Sequence, residues 1–146
     1  MPLRRKHWRS PGYVDVYNNL GLCYEALAEE AKARENYQKA IDLARLLGKK
    51  DEWPFLNYAA FLIKQDDPQR SLELLQGALE RNGGSARAYY LRGKALRRLQ
   101  RADEAKQSLE RSLALDANDP SPDYELAAVL RMMGDTVGAR EMSAKF

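Results

Sequence analysis

Tyr89-Tyr90-Leu91-Arg92-Gly93-Lys94-Ala95-Leu96 is the stretch on which the reading turns. Its frame is Tyr89-x2-Arg92-Gly93-x2-Leu96, followed twelve residues after the glycine by Ala105, then by Leu109 and Ser112. The same frame occurs upstream as Tyr17-x2-Leu20-Gly21-x2-Tyr24, followed by Ala33, Tyr37 and Ala40. Two further stretches fit it: Phe55, Tyr58, Ala59, Leu62, Ser71, Leu75, Ala78, and then Asp123, Leu126, Ala127, Leu130, Ala139, Ser143. The small residues Gly21, Ala59, Gly93 and Ala127 lie 38, 34 and 34 residues apart. Self-similarity at a fixed period means four copies of one structural unit.

That unit is a pair of helices. Ala, Leu, Glu, Lys, Arg and Gln dominate the copies, and all are strong helix formers. Breakers fall at Ser10-Pro11-Gly12, Gly48, Asp66-Asp67-Pro68, Asn82-Gly83-Gly84, Asn118-Asp119-Pro120 and Gly134-Asp135. Between them the apolar spacing is helical, which predicts helices over 13–27, 30–47, 53–65, 69–81, 86–99, 102–115, 120–133 and 136–146. The small residue belongs where the two helices of a pair cross, with Tyr24, Leu62, Leu96 and Leu130 filling the space beside it. Ala33, Ser71, Ala105 and Ala139 are small because the second helix packs there. One pair cannot bury its apolar face alone, so the copies must stack. Cys23, between Leu20 and Tyr24, is expected to be a buried structural thiol.

The four copies resemble the tetratricopeptide repeat family. That family repeats every ~34 residues as W-x2-L-G-x2-Y, A-x3-F-x2-A, then P. The resemblance covers about 14–146 and is fullest in the third copy, through Leu113-Ala114-Leu115-Asp116. Departures are the missing closing proline, the four extra residues near Gly48-Lys49-Lys50-Asp51, and Asp123 and Ser143 at usually apolar positions. It implies an all-α, right-handed α-solenoid of four stacked repeats, about 14–51, 52–85, 86–119 and 120–146, after a basic arm at 1–12.

The resemblance also implies where a partner binds: the first helix of each repeat lines a concave side. Carried over residue by residue, copy one offers Asp15, Asn18, Asn19, Leu22, Glu25 and Ala26 there, and copy two Trp53, Leu56, Asn57, Ala60, Ile63 and Lys64. Copy three offers Arg87, Tyr90, Leu91, Lys94, Arg97 and Arg98, and copy four Ser121, Tyr124, Glu125, Ala128, Arg131 and Met132. The expected site is therefore Asn57, Lys64, Arg87, Tyr90, Lys94, Arg97, Arg98 and Arg131, binding a protein or peptide segment rich in Asp and Glu. Some family members clamp the C-terminal carboxylate of chaperone tails with Lys/Arg and Asn on three successive repeats. In that frame Asn57 and Arg87 match, while Asn18, Leu22 and Leu91 depart, so the clamp is not expected.

Charge supports the same region. The chain carries +3 overall, yet the stretch from Arg81 to Arg111 holds nine basic residues against Asp103, Glu104 and Glu110. Arg4, Arg5, Lys6 and Arg9 make the first twelve residues basic as well. A local basic field favours an acidic partner. The alternative is a nucleic-acid-associated adaptor using the basic arm and the third copy's cluster. The slightly acidic last third, from Leu113, opposes a long polyanion, and no RNA-reading repeat code is present.

Other classes are excluded on chemistry. A single histidine, His7, and a single cysteine, Cys23, leave no disulfide framework, no cysteine-based zinc site and little for histidine-dependent catalysis. Gly83-Gly84 lacks the Gly-Lys-Ser/Thr of a phosphate loop. No nucleophile has a base at motif spacing, and no cofactor is expected. The longest uncharged apolar stretch, near Tyr58–Ile63, is too short to span a bilayer, and MPLRRKHWRSPG is not a signal peptide as written. The compartment is left open, with the cytoplasm as default.

The ends carry expectations too. Such arrays usually close with a polar capping helix. This chain reads as a piece of a longer repeat protein, with Trp8 and Tyr13 covering part of the first copy. Val129, Met133, Met142 and Phe146 are expected to lie uncovered and to drive self-association through the C-terminal hairpin.

Overall fold

The computed structural model describes residues 10–145. Among these residues there are eight helices and no strand: α1 (Gly12–Ala26), α2 (Glu30–Leu46), α3 (Trp53–Lys64), α4 (Pro68–Arg81), α5 (Ala86–Arg98), α6 (Ala102–Leu115), α7 (Ser121–Met132) and α8 (Thr136–Ser143). Consecutive helices pair as α1–α2, α3–α4, α5–α6 and α7–α8, and the four hairpins stack in chain order into an all-α repeat solenoid. The starts are set by local chemistry. Asp67, Ser85 and Asp135 accept from the N–H of Arg70, Ala88 and Gly138 at 3.3, 3.1 and 2.8 Å. Pro54, Pro68 and Pro122 stand in first turns, where a missing N–H costs nothing.

All four hairpins bend through one elbow. Ala28, Asp66, Gln100 and Gly134 adopt φ of 57, 59, 63 and 80°. After each, the next N–H bonds a carbonyl five residues back: Glu29 to Tyr24, Asp67 to Leu62, Arg101 to Leu96 and Asp135 to Leu130, at 2.8–2.9 Å. These bonds satisfy carbonyls that a helix end would leave unpaired. Glycine would be the usual occupant of such a φ, yet only copy four has one there.

The small residues sit at the crossings. A Cβ on Gly21 would lie 2.5 Å from Tyr37 Cδ1, and one on Gly93 would lie 2.5 Å from Leu109 Cγ. Ala59 and Ala127, at the same place, are buried. The Ser71 hydroxyl donates to the Ala59 carbonyl at 2.9 Å, tying the two helices of the second hairpin at their closest approach. Gly93→Leu should therefore overpack the third hairpin and cost about 1–3 kcal/mol or more, read as a lowered urea midpoint at unchanged m. A midpoint within error of the parent would mean that α5 and α6 do not cross there.

Two core clusters run through the stack. One joins the first three hairpins through Tyr37, Phe55, Phe61, Leu74 and Leu91, and the other joins the last two through Leu96, Leu109, Leu126 and Leu130. Leu72 and Tyr90 pack against both. At the first junction Tyr37 stacks on Tyr58 with centroids 5.5 Å apart, and Phe61 closes the trio at 5.4 Å from Tyr37.

Several expectations are corrected. Cys23 is exposed, because its face of α1 has no preceding hairpin against it among the described residues. Tyr24 is half-buried rather than filling the crossing, for Tyr37 occupies that space. Val129 is buried in the second cluster and Met142 packs partly against it, so both are covered from within; Met133 is exposed. The final helix ends at Ser143, and Phe146 lies outside the described residues, as do His7, Trp8 and the basic residues Arg4, Arg5, Lys6 and Arg9.

Candidate partner-binding face

Helix α5 builds the face. Ser85 fixes its start, and the helical period then turns Ala88, Leu91, Ala95 and Leu96 into the core. Arg87, Tyr90, Lys94, Arg97 and Arg98 fall on the remaining surface. Tyr90 is half-buried and forms the floor: the Arg87 guanidinium lies 5.6 Å from its ring centre and the Lys94 ammonium 5.5 Å.

Carboxylates from neighbouring hairpins take up part of the charge. Arg97 Nε donates to Glu125 Oε2 at 2.7 Å, and the Glu125 side chain is only 8% exposed. Arg98 Nη1 lies 3.7 Å from Asp66 Oδ1. Lys64 Nζ donates to Glu25 Oε2 at 3.0 Å, while Tyr37 donates its hydroxyl to the other oxygen of Glu25 at 2.9 Å. Asn57 Nδ2 donates to Asn18 Oδ1 at 3.1 Å. Arg131 Nη2 donates to Ser143 Oγ at 3.0 Å, within its own hairpin.

The expected residues thus divide. Arg87, Tyr90, Lys94 and Arg97 form one group, with Arg98 close enough to act on Lys94. Lys64 and Asn57 belong to the first junction, and Arg131 turns to the last hairpin's second helix. Among the described residues Arg87 and Lys94 have no carboxylate at ion-pair distance. Burial pushes the Lys94 ammonium below the usual lysine pKa, and Arg98, Arg87 and Arg97 add to that, against Glu125. Burial raises the Tyr90 phenol, with Glu125 next, so it stays protonated as a donor.

Sequence reasoning placed Glu125 on this face without recognising it as the group that neutralises Arg97. A glutamate one repeat along from an arginine, both at first-helix ligand positions, was the available signal. Of the other first-helix ligand positions, Leu56, Ile63 and Leu91 are buried in the core rather than offered to a partner, while Trp53 and Leu22 lie on the surface. Both are exposed, as is Tyr124, so the first-helix surface offers apolar contacts beside its charge. Among the described residues no three His, Cys, Asp or Glu side chains gather as a metal cage, and no helix is long and apolar enough to cross a membrane.

Comparison with known proteins points one way. Tetratricopeptide repeat models match residues 14–45 and 62–124. The BBSome complex member BBS4 of Xenopus tropicalis is 26% identical over 130 residues, covering 88% of this chain and 24% of that protein. The type IV pilus assembly protein PilF of Pseudomonas aeruginosa is 30% identical over 151 residues, covering 97% of this chain and 55% of that protein. The chain thus spans about a quarter and about half of these two relatives. Among solved structures, the first TPR of Spaghetti (RPAP3) bound to HSP90 peptide SRMEEVD superposes with a TM-score of 0.78 at 22% identity, over 86% of this chain and 96% of that one.

Proposed function

Because the chain belongs to the tetratricopeptide repeat family, we propose that it is a protein-interaction scaffold, without catalysis of its own, whose first-helix face binds an extended segment carrying Asp or Glu. One observation carries this reading. Lys94 is a half-buried cation among three arginines, offset at longer range only by Glu125, which is already bonded to Arg97, and it lies over a tyrosine it shares with Arg87. A ligand carboxylate there would relieve the repulsion, and Arg87 and Tyr90 would supply the further donors. The exposed Trp53, Leu22 and Tyr124 suit apolar side chains on the same segment. The peptide in the RPAP3 complex is itself acidic, though that likeness carries the fold and not the clamp, since Leu22 and Leu91 stand where the clamp needs polar groups.

The test is a calorimetric titration of the chain with an extended peptide alternating Glu and apolar residues, beside its Gln counterpart and a single-stranded oligonucleotide. The Glu peptide should bind at least about tenfold more tightly than the Gln one. Binding raises a lysine pKa that the free chain holds low, so protons are taken up on binding near that pKa. Affinity should then fall as pH rises through the lowered value. Tighter binding of the oligonucleotide with a steep salt slope would transfer the site to the nucleic-acid reading.

A further inference from the structure

Helix α1 exposes a stripe that the rest of the array hides. Val16, Leu20, Cys23 and Leu27 recur along one face; Val16, Leu20 and Leu27 are 44, 37 and 67% exposed, and Cys23 is exposed too. In copies two to four the places of Val16 and Cys23 are held by Pro54 and Phe61, Ala88 and Ala95, Pro122 and Val129, all buried. In each case the second helix of the hairpin before packs against that first helix. At the first junction the covering contacts are explicit. Tyr37 of α2 meets Tyr58 and Phe61 of α3, and the Arg34 guanidinium lies 5.7 Å over the Phe61 ring.

The other end of the molecule has the matching half. An open recess of about 550 Å³ is lined by Arg131, Thr136, Ala139, Arg140, Ser143 and Ala144. Ser143 and Arg140 hold in copy four the places that Tyr37 and Arg34 hold in copy one. The recess therefore corresponds to the surface that receives the following first helix at the first junction. A small Ser143 in place of a tyrosine leaves room for a bulky side chain arriving from the other side. Charge agrees: the exposed ends of the recess carry Arg140 and Lys145 with Glu141, while Asp15 and Glu30 are exposed beside the stripe.

We infer that the chain stacks head to tail on a second copy of itself, with Leu20 and Cys23 of one copy seated in the Arg140–Ser143 recess of the next. The contact repeats the arrangement of the three internal junctions, where a first helix packs against the second helix of the hairpin before it. It is independent of the acidic-segment reading, because neither surface includes Arg87, Tyr90 or Lys94. Each added copy presents a fresh stripe and a fresh recess, so the assembly lengthens rather than closing as a dimer.

Complementation tests this. Sedimentation equilibrium is run from micromolar to near-millimolar chain on the parent, on a head variant (Leu20→Glu with Leu27→Glu) and on a tail variant (Arg140→Glu with Ala144→Glu). The parent's average mass should climb with concentration past that of a dimer. Each variant alone should stay a monomer. Their equimolar mixture should double in mass and stop there, because the head variant keeps its recess and the tail variant its stripe. Circular dichroism should show parental helicity in both; where a glutamate lowers it, the corresponding serine variants give the same reading. A parent that stays monomeric throughout overturns the inference. A tail variant that still dimerises alone overturns it in favour of a two-fold contact between stripes, and a mixture that stays monomeric overturns the head-to-tail pairing.

Discussion

Tyr37→Ala is expected to remove about 3–5 kcal/mol of stability, the range for deleting a large buried aromatic. The residue is fully buried and serves two joints at once. Inside the first hairpin its ring fills the space opened by Gly21. Across the junction it stacks on Tyr58 and touches Phe61. Its hydroxyl donates to Glu25, and burial first, then that carboxylate, holds the phenol far above its ordinary pKa. It therefore remains a donor throughout the accessible pH range. Tyr37→Phe keeps the ring and deletes one hydrogen bond, so its cost should be only about 0.5–1.5 kcal/mol. Urea unfolding of both variants measures the difference. A cost for Tyr37→Ala below about 1 kcal/mol would mean that the first two hairpins are joined by something other than this trio.

Arg87→Glu with Lys94→Glu should weaken binding of an acidic segment about 100-fold or more, since each reversal turns an attraction into a like-charge contact. Arg87 is exposed and outside any ion pair among the described residues, so its reversal should barely change stability; Lys94 is half-buried near Glu125, so the urea midpoint of the double variant is measured beside its affinity. The choice of residues matters. From sequence, Lys94, Arg97 and Arg98 form one exposed set that could be reversed together with helicity intact. In the structure Arg97 is the partner of a buried carboxylate from the next hairpin. Reversing it would set two carboxylates against each other where α5 meets α7, and lost binding could then reflect a lost junction. The double variant keeps the Arg97–Glu125 bond, and Lys94→Gln with Arg87→Glu, which adds no carboxylate beside Glu125, should lose binding in the same direction. Unchanged affinity, measured by the same calorimetry, would remove this face as the site.

The fold was legible because the repeat states each requirement four times. Helix limits read from Gly48, Pro68, Gly83 and Pro120 fall within one or two residues of those observed, except at the last helix. The small residues at the crossings were legible as a column of Gly and Ala where anything larger meets the second helix. What failed was whatever depends on position in the stack rather than in the repeat. Cys23 and Val129 hold the same place in copies one and four, and one is exposed while the other is buried. A repeat frame cannot separate them, because burial there is supplied by a neighbouring copy. The binding face was half legible for a similar reason. Periodicity gathers Arg87, Tyr90 and Lys94 on one side of a single helix. Which cations are already neutralised is decided between helices, by Glu125, Asp66 and Glu25.

The shared elbow bears on the mechanics of the array. Ala28, Asp66, Gln100 and Gly134 bend the chain with one backbone conformation and one closing bond, whatever side chain occupies the place. Each hairpin is thus closed in the same way, as one plate. The connectors between plates have no such uniformity. The first repeats the elbow itself, with Gly48 at φ 62° followed by the Lys49 N–H on the Ala44 carbonyl at 2.9 Å, and then runs on with its Lys49 carbonyl held by Arg81 from the second plate. The second is folded around Asn82, and the third is pinned by Asp116 and Asp119. Bending is expected between plates, where few ties cross from one hairpin to the next and some of them belong to the binding face. A partner that widens or narrows that face works against the inter-plate ties of Asn18 with Asn57 and Arg97 with Glu125, as a load on a sprung hinge, and leaves the elbows undeformed.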